Sequence, residues 1–245
     1  MPDLPGERIV LVTGANKGIG YEIARQLGRL GAVVHLGARD ERRGRQAAAR
    51  LAAEGLTAAA LHLDVTDDAT LTRAARRLGE RHGRLDVLVN NAGITGAFGG
   101  PPSAATPGQL REVYDTNVFG VLAVTNAMLP LLRRSPAGRI VNLSSTVGSL
   151  ALNADFASAF SGYNQVAYQS SKTALNALTV AYAKELLGTG IKVNAANPGF
   201  TATDMNGHRG HQTAAQGAAV AVRLATLGPE GPTGTSQDDT GPVPW

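Results

Sequence analysis

Two side chains in the stretch Tyr168-Gln169-Ser170-Ser171-Lys172 are of a kind that could move a proton. Four residues is just over one helical turn, so on a helix the Tyr168 phenol and the Lys172 ammonium share a face. A helical pattern runs from here to about residue 187, and that face continues through Leu175, Thr179 and Tyr182, a mostly apolar stripe. A lysine on the buried side of a helix is costly without a partner. Beside a tyrosine it has a use, because its charge favours the phenolate and draws the phenol pKa down from about 10. A tyrosine tuned in this way can pass a proton near neutral pH. The same spacing is common on ordinary helices, so the pair alone does not make a site. Elsewhere in the chain Tyr163 is followed four positions on by Ala167, Tyr182 by Leu186 and Tyr114 by Val118, and Tyr21, followed by Arg25, lies on the first helix. The elements that position the pair decide its meaning.

Composition narrows those elements. The chain has 245 residues, of which 43% are hydrophobic and 17% charged, enough for one large α/β core. No apolar run approaches the length that spans a bilayer, and residues 1–8 lack a signal-peptide layout, so a soluble cytoplasmic protein is the default expectation. There is no cysteine, which excludes disulfides and thiolate chemistry, and the five histidines do not cluster with carboxylates at ligand spacing, so no metal site is expected. The net charge is +4 and the pI about 9.7. Much of the excess is arginine in residues 39–50 and 73–84, interleaved with Asp and Glu. With only 4% aromatics this reads as solvated helix faces rather than a nucleic-acid surface.

Residues 8–13 are a continuous apolar run, as in a strand buried on both faces. Gly14-Ala15-Asn16-Lys17-Gly18-Ile19-Gly20 follows at once, then a helix with Ile23, Leu27 and Leu30 in period that stops at Gly31. Strand, glycine turn and helix form the context a dinucleotide site requires: glycines let the backbone approach a pyrophosphate, and the helix N-terminus faces its charge. The spacing is G-x-x-x-G-x-G. A second strand, residues 32–37, is closed by Ala38-Arg39-Asp40. A site for the non-phosphorylated cofactor carries an acidic residue near this strand's end, for the ribose 2′-hydroxyl. Here Arg39 suits a 2′-phosphate through bidentate charge-assisted bonds, and Lys17 could add a second positive charge. The expected cofactor is NADPH/NADP+ rather than NADH.

Residues 41–53 read as a helix and 57–63 as a strand ending at Asp64-Val65; Asp67 caps a helix to about residue 82. A fourth strand, 86–90, runs into Asn91-Ala92-Gly93, small residues that allow close backbone approach where open α/β sheets bind ligands. Residues 95–107 are a loop. The longest helical pattern, 108–134, has Val113, Asn117, Gly120, Val121, Val124 and Met128 on its inward stripe. Asn117 is polar, a poor helix former and on the core side, so it is either a satisfied core asparagine or a helix-kinking functional one. A fifth strand, 139–143, leads to Ser144-Ser145-Thr146-Val147-Gly148, and 149–165 is irregular. After the Tyr168 helix come a sixth strand, 191–196, a break at Pro198-Gly199, a helix over 212–227, and a tail, 231–245, with room for one short strand. The expected fold is one α/β domain over 1–245: a Rossmann-type, doubly wound parallel sheet of about seven strands with helices on both faces.

These landmarks, in this order, resemble the short-chain dehydrogenase/reductase superfamily in its simple, unextended branch, over nearly the whole chain. The motifs are Thr13-Gly14-x-x-x-Gly18-x-Gly20, Asn90-Asn91-Ala92-Gly93, Asn117, Ser145, Tyr168-x-x-x-Lys172 and Pro198-Gly199. The glycine turn, Ala38-Arg39-Asp40 and the run from Pro198 through Asp204 to Met205 look most like carbonyl reductase-like members. The resemblance implies reversible reduction of ketones and aldehydes, with a small-molecule carbonyl or alcohol as partner. Tyr168 would be the general acid, Lys172 would lower its pKa and bind the nicotinamide ribose, and Ser145, preferred to Ser144, would hold the substrate oxygen as an oxyanion donor does. Asn117 would hold a water that relays protons to Lys172. Gly14, Gly18 and Gly20 would cradle the pyrophosphate, with Asn16, Lys17 and Ile19 in the same turn. Asp64 and Val65 would face the adenine. Asn91, Ala92 and Gly93 would line the ribose. Pro198, Gly199, Thr201 and Thr203 would hold the carboxamide end of the nicotinamide.

The chain departs from many members in a longer gap between Ser145 and Tyr168, so residues 149–167 read as an insertion before the catalytic helix. That helix often pairs subunits in the family, while larger-insert carbonyl reductases are monomers; monomer and homo-oligomer both stay open. Residues 200–212, a substrate lid in relatives, are short, which implies an open pocket that tolerates bulky ketones. Ser236 stands where relatives often carry an aromatic, and would enlarge the pocket if that strand end lines it. Pocket walls are expected from residues 94–98, 147–165 and 201–212. The competing functions are an NADP(H)-binding sensor without chemistry, an NAD-dependent alcohol dehydrogenase, and an epimerase or dehydratase of the extended branch, which the glycine spacing and the lack of a large C-terminal substrate domain disfavour.

Overall fold

A computed structural model describes residues 7–96, 100–157 and 162–245. Seven parallel strands form one sheet in the order β3-β2-β1-β4-β5-β6-β7. They are β1 (Ile9–Thr13), β2 (Val33–Ala38), β3 (Ala58–His62), β4 (Val87–Asn90), β5 (Arg139–Leu143), β6 (Lys192–Ala196) and β7 (Ser236–Gln237). The chain order reverses between β1 and β4, and at such a switch point the carboxyl ends of the strands leave a crevice for a ligand.

Both faces of the sheet are covered because alternate residues of each strand point opposite ways. Val10 and Val12 of β1 face one core, with Ile23 and Leu27 of α1 (Gly18–Arg29), Leu51 of α2 (Glu41–Ala53) and Val220 of α8 (Ala214–Ala225). Ile9 and Leu11 face the other, with Leu71 and Leu78 of α3 (Asp68–His82), Val124 and Met128 of α5 (Gly120–Leu132) and Tyr182 of α7 (Val166–Glu185). Asp67 caps α3 by accepting the amide of Ala69, as its position suggested.

The long helix foreseen over 108–134 is three pieces on one continuous path: α4 (Pro107–Tyr114), a π-helical turn (Asp115–Phe119) and α5. By length and composition alone the span Pro107–Leu132 is apolar enough to cross a bilayer, although Arg111, Glu112 and Asp115 interrupt it; half of its most apolar window is buried inside the domain, and Val113, Val121, Val124 and Met128 of the span are core residues. The stretch 149–165 also differs from expectation. It contains a short helix, α6 (Leu150–Ala154), begun by Ser149, whose hydroxyl accepts from the Leu152 amide. The tail forms the foreseen short strand β7 and then turns back, so that Pro242 bridges antiparallel to Gln237.

Candidate active site

The glycine turn fits a pyrophosphate. Gly14 and Gly18 have φ of 63° and 58°, a left-handed conformation that side chains rarely adopt. Gly20 starts no side chain for a spatial reason: a Cβ there would stand 2.4 Å from Asn91 Nδ2 and 2.8 Å from the Gly14 carbonyl. The first turn of α1 has no side-chain cap, so its amides point outward uncovered, the donor set an anion takes. The donors and the clearance of this cradle suit a dinucleotide. Asn91 itself turns inward. Its amide nitrogen donates to the Thr13 and Gly14 carbonyls at 2.8 and 3.2 Å, so the side chain braces the turn. Gly93 packs close to Asn117 and Lys172: a Cβ on it would be 3.3 Å from Asn117 Oδ1 and 3.7 Å from Lys172 Nζ, and the neighbouring Ala92 amide donates to Thr13 Oγ1.

The two cations foreseen for a 2′-phosphate part company. Arg39, at the end of β2, is exposed and, among the described residues, has no hydrogen bond or ion pair. Lys17 is 2.6 Å from Asp204, which also meets His208 at 2.9 Å. No sequence signal links residues so far apart. Asn16 and Ile19 complete the turn, half-buried, and the Asn16 carbonyl accepts from Arg50 at 3.5 Å. At the end of β3 Asp64 holds its own turn, accepting from Thr66 N and Oγ1 at 3.0 and 2.8 Å, and buried Val65 packs on Gly120 of α5.

Beyond β6, Pro198 and Gly199 begin a loop that closes on itself. Thr201 Oγ1 donates to the Pro198 carbonyl at 3.0 Å, the Ala202 amide donates to the Gln212 carbonyl at 2.8 Å, and Asn206 caps Thr203. The Thr203 methyl lies 3.6 Å from where a Cβ of Gly18 would stand, so this loop overhangs the glycine turn.

The proton-bearing residues meet at the end of β5. Ser145 stands beside the Tyr168 phenol, near enough to favour its ionised form. Ser144 turns away, buried, donating to Asn176 Oδ1 at 2.6 Å. One turn along α7, buried Lys172 donates to the Leu143 carbonyl at 2.6 Å and stands 5.5 Å from the Tyr168 ring centre. The expected tuning of the phenol by this ammonium is not what these residues produce by themselves. Burial, then the nearby Tyr163 phenol, hold the Tyr168 pKa well above the ordinary phenol range, and Ser145 offsets only part of this. Burial also pushes Lys172 down to about 8. Nζ sits against the ring face and a carbonyl rather than beside the phenol oxygen.

Asn117 lies at the centre of the π-helical turn, fully buried. Its Oδ1 accepts from the Ile94 amide at 2.9 Å; its Nδ2 donates to the Ile94 carbonyl at 2.8 Å and to Ser171 Oγ at 3.0 Å. Both amide hydrogens are therefore taken, and the side chain clamps the loop after β4 to α7. The extra residue of a π turn rotates Asn117 inward to reach both.

A cavity of about 120 Å³ opens beside Tyr168, walled by Thr95, Ala105, Leu110, Asn164 and Gln165. Two of its sides were foreseen, from 94–98 and 147–165, although Phe98 lies outside the described residues. The side made by Ala105 and Leu110, at the start of α4, was missed; a run of small residues before a capped helix gives no sign that it faces a site. Residues 201–212 do not wall this cavity. Ser236 does not either: it is buried in β7, accepting from Asn197 Nδ2 at 2.8 Å, so the enlargement suggested for it has no structural basis. Among the described residues no group of three metal-ligating side chains occurs.

The profile of the short chain dehydrogenases matches residues 8–214. Carbonyl reductase [NADPH] 1 of Mus musculus is 35% identical, with 97% of this chain and 98% of the relative covered. Short-chain dehydrogenase anuI of Penicillium roqueforti is 37% identical over 90% of this chain and 89% of its own length. The Pseudomonas aeruginosa RhlG/NADP active-site complex superposes with a TM-score of 0.84 at 33% identity, covering 98% of both chains. The chain belongs to the short-chain dehydrogenase/reductase family, oxidoreductases that bind nicotinamide cofactors.

Proposed function

We propose that this chain reduces ketones and aldehydes to alcohols reversibly, with NADPH as its cofactor and Tyr168 as the proton donor. The observation that carries the reading is Tyr168 in the wall of a small cavity, with Ser145 beside its phenol, Lys172 buried one turn away and the glycine cradle across the sheet switch point. When bound, the nicotinamide supplies the hydride. The chain supplies the proton and the alignment. With its pKa held above the ordinary value, Tyr168 carries its proton at neutral pH and can give it to a carbonyl oxygen. Ser145 donates to the same oxygen and stabilises the charge that develops there. Lys172, with a pKa of about 8, is mostly cationic at neutral pH and leaves the environment of the phenolate less unfavourable after the transfer. Asn117 keeps the loop after β4 in register with α7. Arg39 is the cation free to take a 2′-phosphate, and the carbonyl reductase of Mus musculus and the RhlG complex, whose names carry NADPH and NADP, support that choice.

The test is the initial rate of cofactor oxidation with a panel of ketones, diketones and quinones, run with NADPH and with NADH. Turnover with a strong preference for NADPH is expected. Turnover with a preference for NADH would remove the Arg39 reading and leave the catalytic one. Tight cofactor binding with no turnover of any carbonyl would favour a sensor that has lost chemistry.

A further inference from the structure

Helix α7 carries a second stripe beside the Tyr168–Lys172 stripe. Gln169, Thr173 and Asn176 follow at i, i+4 and i+7, each on the same neighbouring face. Their side chains all reach the chain segment that bears Ser145. Thr173 Oγ1 donates to the Gly148 carbonyl at 2.9 Å, and Asn176 Nδ2 donates to the same oxygen at 3.3 Å. Asn176 Oδ1 accepts from Ser144, the residue next to Ser145, at 2.6 Å. Gln169 Nε2 donates to Asn153 Oδ1 at 2.9 Å, and Asn153 in turn donates to the Val147 and Ser149 carbonyls at 2.8 and 2.7 Å. Three successive carbonyls, 147 to 149, are thus held by the side chains of the helix or by Asn153. The other carboxamide atom of Gln169 accepts the Gln165 amide at 2.8 Å, at the start of the helix that carries Tyr168. Contact is close enough to require glycine: a Cβ on Gly148 would stand 2.7 Å from Lys172 Cβ.

We infer that Gln169, Thr173 and Asn176 are positioning residues, a polar clamp that presses the 144–153 turn onto α7 and so sets the distance between the Ser145 and Tyr168 hydroxyls. Buried and half-buried hydrogen bonds from a rigid helix to a turn fix its place more specifically than apolar packing, because leaving either partner unmatched is costly. The clamp also ties the insertion to the site: Asn153 of α6 and Gln165 both bond to Gln169, one on each side of residues 158–161.

The inference rests on the proposed reaction for its kinetic readout, and is tested by two nearly isosteric variants. Thr173→Val removes the hydroxyl; Thr173→Ser keeps it. For Thr173→Val, kcat for ketone reduction is expected to fall on the order of ten- to a hundredfold, as small misplacements of catalytic groups do. KM and Kd for NADPH stay at the wild-type value, and Thr173→Ser recovers most of the rate. Amide hydrogen exchange provides a readout independent of turnover: residues 146–153 are expected to exchange faster in Thr173→Val and at the wild-type rate in Thr173→Ser. Wild-type kcat together with unchanged protection in Thr173→Val would overturn the inference, as would parallel loss of kcat and cofactor affinity. If the wild type reduces no carbonyl while Thr173→Val still loses protection over 146–153, the clamp stands and the proposed reaction falls.

Discussion

Lys172 and Tyr168 are two groups whose uncharged forms burial favours. A phenol with a raised pKa keeps its proton, so near neutral pH Tyr168 holds the proton that reduction would require of it. Lys172 loses its charge near pH 8. The kcat for reduction is therefore expected to be level around neutrality and to decline above about pH 8, as the amine form replaces the ammonium; a profile level to about pH 10 would contradict this role for Lys172. Arg39 allows a separate prediction. It is exposed and, among the described residues, unpaired, so Arg39→Leu removes nothing structural. The ratio of kcat/KM for NADPH to that for NADH should fall about tenfold or more, mainly through KM for NADPH. An unchanged ratio would move the 2′-phosphate to other cations. Lys17 is tied to Asp204, and Asp204→Asn, which frees it, should strengthen NADPH binding measured by titration.

At the scale of elements, the order of strands and helices was legible because buried parallel strands read as continuous apolar runs and helices as periodic ones. The glycine turn and the Tyr168 helix were legible for the same reason. Asn117 was visible as an oddity on an apolar stripe, but its use was not: only a π turn brings it onto both Ile94 and Ser171, and the extra residue leaves no mark in the sequence. Short α6 was missed because five residues give no period to read. Arg139 is a further case. At the start of β5 it is almost wholly buried and, among the described residues, has no acidic ion-pair partner. Its guanidinium instead donates to the Leu227 carbonyl at 2.9 and 2.7 Å, to Gly138 at 2.7 Å, and to Gly190 and Gly228 at 3.2 Å. It thereby pins the chain just beyond α8 to the amino edge of the sheet, at the opposite end from the site. Arg139→Met would strand several carbonyls, and about 3 kcal/mol of stability should be lost by denaturant titration, with kcat of the folded fraction retained. A loss under about 0.5 kcal/mol would show that the cage of carbonyls adds little.

For the molecule as a whole, stability should depend on a pair of histidines that plays no part in the site. His35 of β2 and His82 of α3 face each other with Nε2 atoms 2.9 Å apart. Burial first, then His82, Arg81 and Arg77, push His35 down to about 4 from 6.5. A base whose folded pKa is depressed binds its proton more readily when unfolded. Stability is therefore unaffected above about pH 6.5, falls as pH drops toward 4, and loses on the order of 3 kcal/mol across that window. Thermal unfolding should show this fall in the wild type and a shallower one in His35→Gln; equal slopes would place the acid sensitivity elsewhere. The fold itself gathers what the chain scatters: the glycine turn, Asn117, Ser145 and Tyr168 come together only because strands from both sides of the switch point end at one crevice. The central claim is that Tyr168 supplies the proton there, and the most direct measurement compares wild type with Tyr168→Phe for both ketone reduction and NADPH binding. The expected result is loss of nearly all turnover with NADPH affinity preserved. Turnover by Tyr168→Phe at the wild-type rate would contradict it.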